Sequence, residues 1–311
     1  MLATDAILDR TTAGPGGAVS GRAAGSAAGT LTGAGAAAPV VLERARGRAE
    51  IAFKLSAGAT RVDRLFQEGQ AKIRLPRGEP GDPPTAVVIN TAGGVTGGDR
   101  LDIAASWGPG TAATVTGQAA ERIYRSSGGA GTIHNRLSVG AGATAEWLPQ
   151  ETILFDRSRL ARRLEVDLAA DARCLIVESV FFGRGAMGER VTDGALSDHW
   201  RLRRDGRLVL AESFRAGGDT TALFAGRATG AGAIAFATLL YAAPDADRHL
   251  DRLRGLVDDD AREPTVEAGT SAFDGFLVAR LLSPSPQALR RDLVRILEAF
   301  RGRPMPRPWS C

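Results

Sequence analysis

A glycine-rich segment constrains the fold of this chain more than any other stretch. It reads NTAGGVTGGD, from Asn90 to Asp99, and it has four glycines within six residues. Such glycines can cradle phosphate, but a P-loop requires Lys and then Ser or Thr after its last glycine, and here Asp99 and Arg100 follow. A dinucleotide fingerprint requires a helix next, whereas residues 100–107 alternate apolar and polar side chains with the period of a strand. The segment is therefore predicted to be a tight turn between two strands.

The chain beyond this segment consists largely of short alternating runs separated by glycine and proline turns. The strongest hairpin signal is Asp205-Gly206, which stands between two such runs. Helical periodicity comes late, from Asp245 to Asp258 and again after the cap Ser285-Pro286, where Gly302 ends the pattern. We predict a mainly β domain with two C-terminal α-helices.

The first 45 residues have a different composition. They are rich in Ala, Gly, Ser and Thr, with almost no large apolar side chain between Leu8 and Val40. Such a segment cannot bury enough surface to offset the entropy lost on ordering. The sequence predicts a disordered Ala/Gly-rich N-terminal extension over residues 1–45, followed by a single domain over residues 46–311.

Composition excludes several classes of partner. The net charge of +4 and the pI near 9.6 suggest nucleic acid, but Lys54 and Lys72 are the only lysines, the arginines are scattered among acids, and aromatic residues are few. Nucleic acid is therefore not an expected partner. No apolar run approaches the roughly 20 residues that span a bilayer, so no membrane is expected either. Cys174 and Cys311 stand far apart, which suits a reducing, cytoplasmic location.

Motifs that carry chemistry are also missing. The three histidines, His134, His199 and His249, are dispersed, and the chain has no HExxH or CxxC pair, so we expect no tight preformed metal site. The segment from Gly183 to Gly188 lacks the serine of a G-x-S-x-G elbow. No catalytic residue is predicted, and a β-rich, hydrolase-like enzyme with an unrecognised site stays open as an alternative.

Glu178 is the most unusual residue of the chain. It lies in the middle of Cys174–Phe182, a run that is apolar on both faces and is predicted to be a buried strand. A buried carboxylate is costly unless it is paired, hydrogen-bonded, or facing water or metal. Either a structural pair, with Arg184 as the nearest arginine that follows, or a functional role fits this position. Asp99 ends the glycine-rich segment, and Glu151 and Asp156 stand at a strand end, where solvated loop acids are the usual explanation.

Four ordered motifs resemble those of the urease accessory protein family UreD, also called UreH. They are the segments Asn90–Asp99, Gln118–Ser126, Glu146–Asp156 and Glu178–Glu189. The residues that carry the resemblance are Asn90, Gly93, Gly94, Gly98, Gln118, Tyr124, Arg125, Trp147, Pro149, Gln150, Gly183, Arg184, Met187, Gly188 and Glu189. The resemblance covers about Arg46 to the C-terminus, and Glu121-Arg122 departs from it by replacing a more usual small-plus-basic pair.

The resemblance implies a β-helix-like stack of strands with two C-terminal α-helices, and a chaperone for metallocentre assembly in place of an enzyme. Family members join UreF and the GTPase UreG on apo-urease and are thought to guide nickel through an internal passage. It thus implies nickel in transit, no tightly bound cofactor, and GTP bound by UreG and not by this chain. On this basis we hypothesise that Glu178 lines the passage and binds nickel transiently, with Asp99, Glu151 and Asp156 as weaker candidates for the same passage. The two helices are expected to pack over the open end of the stack. A second hypothesis makes them part of the surface that faces UreF.

Overall fold

The alternating runs form the strands of two sheets that face each other. The computed structural model describes residues 43–78 and 81–310. The predicted extension therefore lies, up to residue 42, outside the described residues. The first sheet, sheet A, has seven strands, in the spatial order β14-β13-β11-β8-β5-β1-β2: β1 (Arg46–Ser56), β2 (Ala59–Gly69), β5 (Arg100–Trp107), β8 (Gly131–Val139), β11 (Arg159–Leu168), β13 (Gly194–Arg204) and β14 (Arg207–Gly218).

The second sheet, sheet B, has ten strands among the described residues. Eight of them follow the spatial order β16-β17-β15-β12-β9-β6-β4-β3: β3 (Ala71–Arg74), β4 (Thr85–Asn90), β6 (Ala112–Gly117), β9 (Thr144–Leu148), β12 (Arg173–Phe182), β15 (Ala235–Ala242), β16 (Glu267–Phe273) and β17 (Phe276–Ser283). Two short strands lie beside this row, where β10 pairs with β12 and β7 pairs with β10: β7 (Glu121–Ile123) and β10 (Thr152–Leu154).

The chain crosses from sheet B to sheet A again and again, which builds a solenoid. It runs from β4 to β5, from β6 through β7 to β8, from β9 through β10 to β11, and from β12 to β13. Equivalent strands of successive coils pair in parallel, as when Leu101 pairs with Ile133 and Ile133 with Arg162. The antiparallel hairpins β1–β2 and β13–β14 form the two edges of sheet A. This arrangement confirms the predicted β-helix-like stack, and the Asp205-Gly206 turn joins β13 to β14 as expected, with both residues at positive φ.

The main core fills the space between the two sheets. Inward-facing residues of every coil contribute to it, among them Ile51, Leu101, Ile103, Val115, Leu137, Trp147, Leu164, Ile176 and Trp200. Because successive side chains of a strand point to opposite faces, the other side chains of sheet B form an outer face. That outer face is apolar as well and includes Leu175, Val177, Leu239 and Leu281.

Two C-terminal helices cover the outer face of sheet B. α3 (Pro286–Arg301) begins at Ser285, whose side chain accepts a hydrogen bond from the backbone of Ala288, and it ends at Gly302 with φ +69°. α2 (Leu250–Val257) follows a short 3₁₀ turn, Ala246–His249, that occupies the start of the predicted helix. Both helices bury apolar side chains in the cluster that includes Leu175. The prediction that they cover the open end of the stack is wrong. They pack on the outer face of sheet B, because its apolar side chains would otherwise be exposed to water.

One helix was not predicted. α1 (Thr220–Phe224) has five residues, too few for a recognisable period, and its cap is Asp219, whose side chain accepts from the backbone N–H of Ala222. It follows β14 and buries Phe224 against other phenylalanine rings.

The glycine-rich segment is the crossing from β4 in sheet B to β5 in sheet A. Gly93 and Gly98 have φ of +76° and +88°, a region that favours glycine. A Cβ on Gly97 would lie 2.0 Å from the Ser126 hydroxyl. The Asp99 carboxylate accepts from the backbone N–H groups of Thr96 and Ala45, both at 2.9 Å. The turn prediction is confirmed, and Asp99 closes the crossing.

Candidate functional site

A buried ion-pair cluster lies between the two sheets. The guanidinium of Arg162 donates to Glu178 through Nη1 (2.5 Å to Oε2) and to Asp198 through Nε and Nη2 (3.1 and 2.6 Å). Nη1 also lies 3.1 Å from the Thr152 hydroxyl oxygen. The indole N–H of Trp147 donates to the second oxygen of Glu178 at 3.0 Å. All three charged side chains are at least nine-tenths buried.

Strand register brings these residues together. Arg162 in β11 pairs directly with Asp198 in β13, so both side chains point to the same face of sheet A. Glu178 comes from the middle of β12 in sheet B and meets them across the interior. Sequence separations of 16 and 36 residues between the bonded partners explain why local pattern gave no sign of this cluster.

The cluster carries an unbalanced charge. Two carboxylates meet one guanidinium, so the three groups sum to −1 when all are ionised. Burial raises the pKa of Glu178 above its usual value, although Arg162 works in the opposite direction. Burial alone would lower the pKa of Arg162, but the charges of Asp198 and Glu178 raise it, and the guanidinium stays protonated.

Two cavities meet at this cluster. Cavity 1, of about 240 Å³, and cavity 2, of about 200 Å³, are both lined by Arg162 and Glu178. Cavity 2 continues past Asp198 to Glu212 and Arg280, which form an ion pair of 2.9 Å. The Arg162–Glu178 pair therefore lies where the two cavities meet. Several residues of the first three sequence motifs line cavity 1: Asn90, Gly93, Gln118, Trp147, Pro149 and Gln150.

Cavity 1 contains a second acid that the sequence reasoning did not select. Glu121 accepts from the Asn90 side-chain amide at 2.9 Å. Burial raises the pKa of Glu121 to about 7, and the bond from Asn90 offsets only part of that effect. No Lys, Arg or His of the described residues forms an ion pair with it. The available sequence signal was the departure of Glu121-Arg122 from the family pattern.

Gln150 also lines cavity 1, and its side chain carries a hydrogen-bond donor without a partner among the described residues. Its side chain is 5% exposed, and its Oε1 accepts from Arg290 at 2.8 Å. Its Nε2 has no hydrogen-bond partner within the described part of the chain. A buried donor of this kind requires an acceptor, and a cavity large enough for several water molecules can supply one.

The weaker candidate acids do not join Glu178. Asp99 closes the glycine-rich crossing, as described above. Glu151 pairs with Arg290 at 2.7 Å on the side of sheet B that faces α3. Asp156 accepts from the Thr192 backbone and hydroxyl and from the Asp193 backbone, at 2.7 to 3.1 Å. None of the three lines cavity 1 or cavity 2.

Arg184 is not the partner of Glu178. It forms a two-bond pair with Glu189, at 2.8 and 2.9 Å, and lies over the Phe155 ring. The chain turns at Gly183, with φ +84°, directly after β12, so Arg184 leaves the interior. Glu178 does form a buried ion pair, but its partner is Arg162 and not Arg184.

The remaining motif residues shape the surface around the glycine-rich crossing and the turn after β12. Tyr124 donates through its hydroxyl to the Gly93 carbonyl at 3.0 Å, and its ring packs edge-on against Phe155. A Cβ on Gly94 would lie 2.3 Å from that Tyr124 ring. Three further motif residues lie outside the two cavities. Arg125 forms an isolated β-bridge with Ser158, Met187 is 75% exposed, and Gly188 ends a 3₁₀ turn at φ +68°.

The three histidines stay apart in space. His134 lies 2.9 Å from Glu165, His199 lies 2.9 Å from the Ser197 hydroxyl, and His249 lies 3.7 Å from Asp245. The described residues contain no group of three or more His, Cys, Asp or Glu side chains arranged to hold a metal ion. Within that same part of the chain, none of the helices has the length and apolar character required to cross a membrane.

Fold and site thus define a β-solenoid-like protein with two cavities that meet at a buried ion-pair cluster. Sequence comparison identifies its family. A family model described as "UreD urease accessory protein" matches residues 45–310. Curated relatives named urease accessory protein UreD include one from Xanthobacter autotrophicus (strain ATCC BAA-1158 / Py2), 48% identical over 86% of this chain and 91% of the relative. Another, from Rhizobium leguminosarum bv. trifolii (strain WSM2304), is 48% identical over 88% of this chain and 98% of the relative.

The chain belongs to the UreD family of urease accessory proteins. It has a role in urease maturation and is an accessory chaperone, not an enzyme. The hydrolase-like alternative is thereby set aside.

Proposed function

We propose that this protein guides nickel to the active site of apo-urease through the interior route between its two sheets. In this proposal it acts in a complex with UreF and the GTPase UreG, and nickel is its cargo, not a resident cofactor. The observation that carries the proposal is the position of Glu178, a buried carboxylate that lines both cavities at the point where they meet.

The chemistry of the route suits a borderline divalent ion in transit. Carboxylate, amide and hydroxyl oxygens bind such ions less tightly than clusters of His and Cys do. Glu121 in cavity 1, Glu178 at the junction and Asp198 beyond it supply carboxylates in succession. An ion can exchange between such oxygen ligands and water more readily than it leaves a cluster of His and Cys.

The proposal also assigns the nucleotide and the cellular compartment. The glycine-rich segment is a crossing between sheets that Asp99 closes, so we assign GTP to UreG. We also place the protein in the cytoplasm, where the buried, unpaired thiol of Cys174 would stay reduced.

Urease activation by Glu178 variants tests the proposal. Glu178→Gln keeps the size of the side chain and an acceptor for Trp147 but removes the charge, so we expect little urease activation while UreF still binds. Glu178→Ala is expected to lose activation as well, and to lose up to about 3–5 kcal/mol of unfolding free energy because it breaks a buried pair. Nickel content of urease, UreF pull-down and thermal unfolding are measured for each variant.

Glu146→Gln is the matched control. Glu146 is similarly buried, 7% exposed against 5% for Glu178, and it also pairs with a buried arginine, Arg301 at 2.9 Å. However, it lies outside cavities 1 and 2. Normal nickel incorporation with Glu178→Gln in an intact complex would refute the role of Glu178. An equal loss with Glu146→Gln would show a general effect of removing a buried charge.

A further inference from the structure

The geometry around Arg162 indicates more than a structural ion pair. Its guanidinium bonds to two carboxylates that come from opposite sheets, Glu178 from sheet B and Asp198 from sheet A. Both carboxylates converge on one cationic position in the interior. Arg162 thus occupies the place that a metal ion between the two carboxylates would take.

Charge balance favours a divalent ion at that position. When both carboxylates are ionised, the cluster sums to −1 with Arg162 in place, whereas a divalent ion would neutralise the charges of Glu178 and Asp198. Uncompensated charge is costly in an apolar interior, and the neighbouring side chains include the rings of Trp147 and Trp200. The described residues place no second cation on either carboxylate.

The position also decides whether an ion can pass. Arg162 lines both cavities, so an ion that moves from one chamber to the other meets a fixed positive charge. Passage requires the guanidinium to leave the junction, and its departure frees both carboxylates and the Thr152 hydroxyl at once. Gln150, which is 5% exposed, also lines cavity 1, and its Nε2 has no hydrogen-bond partner within the described residues.

We propose that Glu178 and Asp198 form a divalent-cation site that Arg162 closes by occupying it. Nickel and the guanidinium compete for the same two carboxylates, and water from the two cavities completes the oxygen ligands of the ion. This inference extends the proposed function, because it adds Asp198 as a ligand and Arg162 as the residue that controls access.

Nickel binding to the full, untagged chain tests the site without urease or partners. Arg162→Met keeps the length of the side chain and removes its charge. We expect this variant to bind one equivalent of Ni²⁺ at least about tenfold more tightly than the unsubstituted protein, measured by equilibrium dialysis and calorimetry. Adding Asp198→Asn to Arg162→Met should abolish the gain. If Arg162→Met does not fold alone, Ni²⁺ should restore its folding, as followed by circular dichroism.

Arg301→Met is the control variant, because Arg301 is as buried as Arg162 (3% and 4% exposed) and also binds a buried carboxylate. No gain is expected there, since Glu146 keeps Arg303 at 2.7 Å. A folded Arg162→Met that binds no more tightly, a gain that survives Asp198→Asn, an equal gain in Arg301→Met, or an unfolded Arg162→Met that nickel does not rescue overturns the inference. Normal urease activation by Glu178→Gln would instead count against the proposed function and leave the binding result intact.

Discussion

Glu121 offers a prediction whose sign and size follow from its surroundings. The residue lines cavity 1, and burial raises the pKa of its carboxyl from 4.5 to about 7. Its carboxylate accepts a hydrogen bond from the Asn90 side-chain amide, and a neutral acceptor can accept the same bond. Glu121→Gln therefore removes the ionisable group and keeps the hydrogen bond.

The pKa shift fixes the direction of the pH dependence. Below pH 4.5 the carboxyl is protonated in both folded and unfolded chains and contributes no difference. Between pH 4.5 and about 7 the unfolded chain releases its proton first, so the free energy of unfolding falls as the pH rises. Above pH 7 the carboxyl is ionised in both states, so the free energy of unfolding is lowered by the full cost of burying the charge. A shift of this size corresponds to at most about 3 kcal/mol, and partial exposure of Glu121 makes this an upper bound.

Urea unfolding at several pH values checks this prediction, with a chelator present to exclude metals. We expect Glu121→Gln to match the unsubstituted protein near pH 4.5 and to exceed it in unfolding free energy at pH 8, by up to about 3 kcal/mol. Glu267→Gln, on an exposed position of β16, is the control and should show no such trend. A difference that does not change with pH, or one that favours the unsubstituted protein at pH 8, would refute the reasoning.

Two further predictions concern the glycine-rich crossing. Gly97→Ala should lower the free energy of unfolding by about 3 kcal/mol or more, because the new Cβ would lie 2.0 Å from the Ser126 hydroxyl and 2.5 Å from the Gly128 carbonyl. Gly128→Ala, which meets no atom within 4 Å, is its control in thermal unfolding, and equal effects would contradict the steric argument. Asp99→Ala should cost about 2 kcal/mol or more, since it leaves the N–H groups of Thr96 and Ala45 without their carboxylate. Unfolding unchanged within error would show that Asp99 does not hold the crossing.

Local features of the fold could be predicted because their signals are local. The Asp205-Gly206 hairpin, the Ser285 cap and the Gly302 stop all depend on residues within a few positions of one another. The parallel stacking of coils does not, because it joins residues about 30 positions apart, such as Leu101 and Ile133. Alternation shows which residues share a face but leaves the partner strand open. The solenoid was reached only through the resemblance to a family.

The site shows the same division between local and distant information. An acid in a continuous apolar strand marked Glu178 as unusual, and the structure confirms that it is buried and paired. The identity of the partner depends on the register of β11 against β13 and on the facing of the two sheets, which no spacing in the sequence encodes. Arg184 was the nearer arginine, but the turn at Gly183 directs it to Glu189.

Stability alone does not explain a charged cluster at the junction of the two cavities. Replacing a buried ion pair by apolar side chains of similar volume is often neutral or stabilising by about 1–4 kcal/mol. The chain uses apolar residues at the equivalent positions of neighbouring coils, where Ile133 and Leu101 continue the row of Arg162. An apolar residue was therefore structurally available at position 162. Two carboxylates without a counter-cation would hold a divalent ion firmly, and a route must release its ion. We therefore interpret the charge of Arg162 as the element that keeps the passage from trapping its cargo.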